Sequence, residues 1–483
     1  MSPSENRLHD SLARFTSILQ PDEIQAIHRI QEQPLPIGVR INLLKRDPEA
    51  AILDLAQRYN WDVQSIPFCN NGWVIHDPGT PPGLTLEHRL GQYYLQDAAS
   101  MVPVSLFDFS GDHPVILDMA ASPGGKTTHL IDRTMDKAFI IANDSSRNRI
   151  SALRSVLINW GGISQIVTCY PGEKFGTWYP ETFDYILLDA PCSMENLRPS
   201  PSHPLRETSA DERLRLQSRQ VALLVSGLSA LKTGGQLVYA TCSLAPEEDE
   251  AVVDTVLKQH PGKFKVDNIR HKMPFPAIGL KAFVGQTFHP DLEYTLRLWP
   301  HLTGMSGFFC ARLTKIQPFS LPLESAPARD LRRTHLQPAE DPIQSQVFSQ
   351  LNENYGFDLD ANLSDQDLAL YRRFDQVFLL PKAYLHHFKS LPFELIGMLI
   401  GRINEQLFEP SSEFISRFGH KFTRGMIQIE DTRLEQWISG RDIRHPVIDK
   451  KPAIEFVLVK DSAGRNLGLG KLLPNRLRNM RPK

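Results

Sequence analysis

The stretch Leu117-Asp118-Met119-Ala120-Ala121-Ser122-Pro123-Gly124-Gly125-Lys126-Thr127-Thr128 decides the fold of this chain. It reads as the end of a buried strand, Val115 to Met119, running into a loop of small residues and then into a helix over Thr127 to Asp136. Such a loop lets a ligand approach bare backbone at a helix N-terminus. Two phosphate-cradling patterns fail on spacing. Only Gly125-Lys126-Thr127 matches the end of G-x-x-x-x-G-K-[ST], and G-x-G-x-x-G is absent. What remains suits a small, neutral-to-cationic nucleoside ligand, with Ala120, Ala121, Ser122, Pro123, Gly124, Gly125 and Lys126 as candidate contacts.

Outward from this stretch the pattern repeats. Short apolar runs at Ala138 to Ala142, Gln165 to Thr168, Tyr185 to Leu188 and Gln236 to Ala240 alternate with helical stretches at Ser146 to Trp160 and Asp211 to Leu231. A further helix is expected to begin at Pro246. That alternation predicts a doubly wound α/β fold around a buried parallel sheet. Ala142-Asn143-Asp144 puts an acid at a strand end, where Asp144 suits either both hydroxyls of a ribose or the N-cap of the helix near Arg147.

Around this core, residues 1–90 read as a small N-terminal α/β domain, mixed and mostly helical, with an RNA-binding or auxiliary role, a helix over Pro21 to Ile30 and a short strand over Gly38 to Leu43. The α/β domain is expected over 91–315, a linker rich in Pro, Ser and charge over 316–345, and a small α/β module over 346–418. Residues 419–483 read as a compact β-rich module turning at Gly464, Gly468 and Gly470.

With 483 residues, 41% hydrophobic and 22% charged, the chain is neither disordered nor a coiled coil. No stretch approaches the roughly 20 apolar residues needed to cross a bilayer, so a cytoplasmic enzyme with no membrane partner is expected. The cysteines number five, are scattered and lack any C-x-x-C pair, which argues against a disulfide scaffold and against a metal site. Net charge is -2, yet residues 415–483 carry 15 Lys or Arg against 7 Asp or Glu. That local excess, with Arg476, Arg478 and Lys483 at its end, would attract a polyanion; a solvated basic face is the plainer reading.

Two cysteines follow buried strands, in Asp189-Ala190-Pro191-Cys192-Ser193 and Ala240-Thr241-Cys242-Ser243. In a parallel sheet both loops leave the same edge, so Cys192 and Cys242 are expected to face one crevice. The alternatives are inert thiols in the core or a disulfide between them.

Taken together, Ala120-Ala121-Ser122-Pro123-Gly124-Gly125-Lys126, Asp189-Ala190-Pro191-Cys192-Ser193 and Tyr239-Ala240-Thr241-Cys242-Ser243-Leu244-Ala245-Pro246-Glu247-Glu248 resemble the Sun/Fmu family of S-adenosylmethionine-dependent RNA cytosine-5 methyltransferases. The likeness runs from Arg40-Ile41-Asn42 through Gln96-Asp97-Ala98-Ala99-Ser100 to Gly307-Phe308-Phe309-Cys310-Ala311-Arg312. The tail, Asn466-Leu467-Gly468-Leu469-Gly470-Lys471 with Leu477-Arg478-Asn479, is similar to the PUA-like RNA-binding end of the family's F-type bacterial 16S ribosomal RNA branch.

The resemblance implies a Rossmann-like methyltransferase sheet, S-adenosylmethionine as cofactor and RNA, most of all ribosomal RNA, as partner. It assigns Cys242 as the nucleophile at cytosine C6, Cys192 to product release, and Asp189 to the cytosine edge and the cofactor. Lys126, beside loop and crevice, is read as a catalytic contact or as a surface lysine. Two departures stand out: Tyr170-Pro171-Gly172 replaces the family's Asp-Gly after the third strand, and Met194-Glu195-Asn196 replaces Gly-Glu-Gly. They leave open a catalytically weak RNA-binding assembly factor. A tRNA cytosine-5 methyltransferase is the other alternative, and a small-molecule or protein methyltransferase would leave the basic tail unexplained.

Overall fold

The computed structural model describes residues 12, 14–198, 208–330, 334–404, 407–446, 448 and 452–480. Helix α1 (Pro21–Gln31) opens with proline and two acids in its first turn, where the helix dipole favours them. Strand β1 (Ile37–Ile41) leads to helix α2 (Pro48–Tyr59), whose N-cap Asp47 accepts the Ala50 N–H at 2.9 Å. Strands β2 (Asp62–Ser65), β3 (Gly72–His76) and β4 (Tyr93–Leu95) complete an antiparallel sheet ordered β2-β3-β1-β4.

The N-terminal part is therefore a small α/β unit, as expected, with more strand than the mostly helical reading gave it, and its last strand lies beyond residue 90. The hairpin partners are short, and β2 is mostly exposed, so no strong alternation marks it in sequence.

After helix α3 (Ala98–Ser105) the α/β pattern begins. It comprises β5 (Val115–Asp118), α4 (Gly125–Arg133), β6 (Phe139–Asn143), α5 (Arg147–Trp160), β7 (Gln165–Thr168), β8 (Phe183–Asp189), α6 (Ala210–Ala230), β9 (Leu231–Thr241) and α7 (Glu250–Gln259). Strands β10 (Phe264–Val266), β11 (Leu296–Leu298) and β12 (Phe308–Lys315) follow. The five strands β9-β8-β5-β6-β7 run parallel, and β12 lies antiparallel beside β9. Alternate strand residues enter opposite cores: Leu117, Ile186 and Leu237 pack with Leu224 of α6 and Val252 of α7, whereas Ile116, Leu187 and Val238 pack with Leu130 of α4 and Leu153 of α5. Burial on both faces is why these strands read as short continuous apolar runs.

Helix α7 starts at Glu250 instead of Pro246, because Pro246 to Asp249 form a turn. The expected linker is also corrected. Phe319 packs against the core, the Leu321 N–H donates to Ser229 Oγ at 2.9 Å, and the Arg329 N–H donates to the Ser390 carbonyl at 2.7 Å. A Pro- and Ser-rich composition describes this segment's backbone, but one aromatic and a row of donors bind it to the α/β surface.

Within the same interval, β13 (Gln337–Pro338) pairs with the next module and α8 (Asp341–Tyr355) begins. Strands β14 (Leu368–Arg373), β15 (Gln376–Pro381), β16 (Leu395–Ile396), β17 (Met398–Asn404) and β18 (Leu407–Pro410) follow, then helix α9 (Ser412–Phe418). Order β13-β14-β15-β17-β18 makes one sheet, while β16 pairs antiparallel with β7 and so extends the central sheet to nine strands. The last sheet orders as β19-β21-β22-β23-β20, from β19 (Met426–Gln428), β20 (Ile443–Arg444), β21 (Phe456–Lys460), β22 (Asn466–Leu473) and β23 (Arg476–Asn479).

One buried network joins the N-terminal sheet to the helix after the glycine loop. Arg40 of β1 pairs with Asp132 of α4, donates to the Gly125 carbonyl at 3.0 Å and to Gln96 Oε1 at 3.0 Å, and stacks over Trp160. Asn42 donates to the Gly91 and Trp160 carbonyls. The Arg40-Ile41-Asn42 motif thus acts here as a fastening, and a buried charge of this kind is tolerated because an acid and three further acceptors face it.

Candidate active site

Strand order reverses beside β5, so the loops after β5 and β8 open a crevice at the carboxyl edge of the sheet, the place where open α/β sheets bind ligands. Gly124, at φ +114°, turns the first loop into α4; a Cβ there would meet Val156 Cγ1 at 2.9 Å. At Gly125 a Cβ would meet the Tyr94 ring at 2.8 Å. Both positions need glycine because the backbone passes too close for any side chain.

The second feature is the pair of cysteines. Cys192 follows β8 and Cys242 follows β9, and the loops bring their Sγ atoms to 3.2 Å. Both thiols are free and half-buried, which excludes a disulfide between them in this structure. Cys69 and Cys310 are buried elsewhere.

Glu248 holds the two loops together. Its carboxylate accepts the Ser193 N–H at 2.9 Å, the Ser193 hydroxyl, the Ser243 hydroxyl at 3.1 Å and the Gln220 amide at 3.0 Å. Gln220 also donates to the Pro191 carbonyl, and the Tyr239 hydroxyl donates to the Glu248 carbonyl. The reading of the sequence gave Glu248 no role. Its only signal there is an acid in the motif after Cys242, which looks like the first turn of a helix.

Lys126 reaches across from the glycine loop to Asp189, with Nζ at 2.7 Å from Oδ2, and lies over the Phe308 ring. Its side chain is only 13% exposed, so the surface-lysine reading is set aside. Burial opposes its charge, but attraction and a hydrogen bond from Asp189, then the proximity of Cys242 and Asp118, hold its pKa above the ordinary lysine value. The hydrogen bond with Cys242, followed by burial and the charge of Glu248, pushes the Cys192 thiol well above the usual cysteine range.

Asp144 is 2% exposed, and its oxygens accept the Ser122 N–H at 3.2 Å and the Ser146 N–H at 2.9 Å. Ser146, not Asp144, is the N-cap residue of α5. A ribose at Asp144 would share oxygens already committed to the loop. Asp118, at the end of β5, accepts the Thr127 hydroxyl at 2.7 Å on one oxygen, while the other is buried with no partner among the described residues. Burial, reinforced by Asp189 and Asp144, pushes its carboxyl up to about 7. Three carboxylates converging on a glycine-lined loop, one with a free oxygen, fit a cationic nucleoside ligand such as S-adenosylmethionine.

The departures from the family pattern fall beside this site. Asn143 clamps Tyr170 through its N–H at 3.0 Å and its carbonyl at 2.9 Å, and Pro171 starts a short 3₁₀ turn over Gly172–Lys174. Met194 takes φ +61° and is exposed, whereas Glu195 is buried against Arg14 and Arg213. The basic tail is less uniform than its composition. Arg417 is buried 4.0 Å from Asp136, Arg465 pairs with Glu87 and Asp461, and Arg476 lies 3.3 Å from Asp442. Arg478 is exposed, and Lys483 lies outside the described residues. Among the described residues no helix is long and apolar enough to cross a membrane, and no group of three or more His, Cys, Asp or Glu could hold a metal ion.

Comparison with known proteins adds relatives to this geometry. Residues 109–314 match the family model of the 16S rRNA methyltransferase RsmB/F, and residues 10–98 match that of the N-terminal domain of 16S rRNA methyltransferase RsmF. The ribosomal RNA small subunit methyltransferase F of Erwinia tasmaniensis is 30% identical over 466 residues, covering 96% of this chain and 93% of that protein. Its counterpart from Aeromonas salmonicida is 29% identical over 482 residues, covering 99% and 95%. Among solved structures, a methyltransferase homolog protein from Pyrococcus horikoshii is 29% identical with a TM-score of 0.55, covering 65% of this chain and 100% of that one.

Proposed function

Since the chain belongs to the 16S rRNA methyltransferase RsmB/F family, we propose that it transfers a methyl group from S-adenosylmethionine to C5 of a cytosine in ribosomal RNA. The observation that carries this reading is the 3.2 Å approach of Cys192 and Cys242 beside the Lys126–Asp189 pair. Cytosine C5 is a poor nucleophile, so the ring is first made electron-rich by addition at C6. Cys242 forms that bond. The hydrogen bond with Cys242 and burial push the Cys192 thiol well above the usual cysteine range, so Cys192 serves as the proton donor of the pair and Cys242 as the sulfur that attacks.

As the C6 bond forms, electron density moves to N3 and O2. N3 takes a proton from solvent as that charge develops, and Asp189, fixed by the Lys126 ammonium, accepts a hydrogen bond from the resulting N3–H. The cofactor, when bound, supplies an electrophilic methyl group. Ala120 to Gly125 line its side of the crevice, and Asp118 and Asp144 offer carboxylates to its cationic and hydroxyl groups. A solvent water takes the C5 proton, the electron pair of that bond restores the C5–C6 double bond as the C6–S bond breaks, Cys192 gives its proton to the departing Cys242 sulfur, and N3 returns its proton to solvent.

Glu248 acts through position: by holding Ser193 and Ser243 it sets how far apart the two sulfurs stand. Retention of both cysteines, Asp189 and Lys126 speaks against a catalytically inert assembly factor. Bisulfite mapping of ribosomal RNA from cells with and without the protein tests the reading. One cytosine losing protection in the deletion supports it, and an unchanged map overturns it.

A further inference from the structure

A second concavity, of about 750 Å³, lies where four parts of the chain meet: the N-terminal domain, the C-terminal half of α5, helix α9, and the last sheet. Lys45 forms its floor, donating to the Leu90 carbonyl at 2.9 Å, the Asn159 carbonyl at 2.7 Å and Ser416 Oγ at 2.9 Å. Those three bonds use all of its donors, so Lys45 ties the walls together and has nothing left for a ligand.

The rim carries the charge. Arg46 and Arg58 share Asp54, and Arg465 is held by Glu87 and Asp461. Arg89 of the N-terminal part and Lys460 of β21 also line the cleft and make no ion pair among the described residues. Besides Lys45, whose pKa burial lowers to about 7, the lining has five lysines and arginines against two acids, Asp54 and Glu413, and burial raises the pKa of Glu413. Most of these cations are answered by Asp54, Glu87 and Asp461, so the positive charge left without an ion partner is that of Arg89 and Lys460, assembled from segments far apart in sequence. Apart from the His420 imidazole it has no ring to stack on a base, so its chemistry suits a phosphate backbone and not base readout.

Its position separates it from the cysteines. Helix α5 leaves the carboxyl edge of the sheet after β6 and runs back to the start of β7. Asn159 lies twelve residues along it from Arg147, about 18 Å of helix. The cleft is thus at the end of the sheet opposite the crevice.

We propose that this cleft binds the ribose–phosphate backbone of the RNA substrate at a point remote from the nucleotide being modified, with Arg89 and Lys460 as the phosphate contacts. The proposal rests on the reading of the chain as an RNA methyltransferase and adds the surface that holds the flanking RNA. A remote, sequence-independent grip of this kind orients a structured substrate without touching the chemistry.

The test is the full-length Arg89→Ala, Lys460→Ala double variant, compared with wild type on a transcribed 16S ribosomal RNA fragment. Two lost phosphate contacts should lower the slope of log affinity against log salt by about 1 to 2 and raise the RNA KM about tenfold. kcat and cofactor affinity should stay at wild-type values, and matching thermal unfolding would show that the fold is intact. An unchanged salt slope and KM overturn the proposal. Because binding is read apart from turnover, a wild type that binds this RNA without methylating it would count against the enzymatic reading alone, and the salt series would still decide the cleft.

Discussion

Cys192 Sγ stands 3.2 Å from Cys242 Sγ, although fifty residues separate them in sequence. The two loops leave neighbouring parallel strands, and Glu248 bridges the serine that follows each cysteine. The proposed roles rest on an asymmetry between these two chemically identical side chains: the hydrogen bond between them and burial push the Cys192 thiol well above the usual cysteine range, while Cys242 is the one whose proximity helps hold the Lys126 pKa up.

Replacing one sulfur at a time separates these roles. With labelled cofactor and unmethylated ribosomal RNA, Cys242→Ala is expected to abolish methyl transfer. Cys192→Ala should accumulate a protein–RNA adduct that survives a denaturing gel, since the departing sulfur lacks its proton donor. Residual transfer by the first variant, or no adduct with the second, would reassign the nucleophile or the release step.

The same proximity makes the pair sensitive to oxidation. A disulfide needs its sulfurs at about 2.05 Å, so only a small approach is required. A mild oxidant should remove two titratable thiols and the activity together, and dithiothreitol should restore both. Loss of activity without loss of two thiols would show that the pair does not close.

Glu248 is expected to matter for rate more than for binding. Glu248→Gln keeps the shape but substitutes an amide for an oxygen that accepts from Ser193 or Ser243, and kcat should fall about tenfold or more while cofactor affinity holds. Glu248→Ala strands several buried donors and should cost about 2–4 kcal/mol of stability by denaturant titration. If kcat of the Gln variant equals that of wild type, the carboxylate does not set the sulfur geometry.

Asp118 gives a pH signature. Burial, aided by Asp189 and Asp144, raises its folded pKa to about 7, above the ordinary aspartate value of 3.8. A carboxyl whose pKa is raised by folding contributes stability that is fully present below its unfolded pKa and is lost as pH rises through the folded one. Without cofactor, Asp118→Asn should therefore gain stability relative to wild type as pH climbs from about 4 to about 7. A difference in unfolding temperature that stays constant across that window would contradict the shift.

The residues differ in how much of this they disclosed in sequence. Val115 to Met119 and Tyr185 to Leu188 were legible as buried strands because both faces of a parallel strand are apolar, which leaves a mark confined to a few adjacent positions. Gly124 and Gly125 were legible as a close-approach loop for the same local reason. The N-terminal sheet was not, since β2 is short and mostly exposed and takes its stability from a partner at Gly72 to His76. Phe319 and the donors around it likewise gave no sign that a Pro- and Ser-rich segment would lie along the α/β surface.

From the sequence alone came the doubly wound sheet, the edge at which its loops emerge, and the two cysteines placed on that edge, because each depends on hydrophobic pattern and strand polarity within a short window. Only the tertiary structure decided which polar groups meet, Lys126 with Asp189, Glu248 with Ser193 and Gln220, and Arg40 with Asp132, and that Arg89 and Lys460 line one cleft. A buried charge must find a partner wherever the packed chain brings one, and chain separation places no limit on where that is.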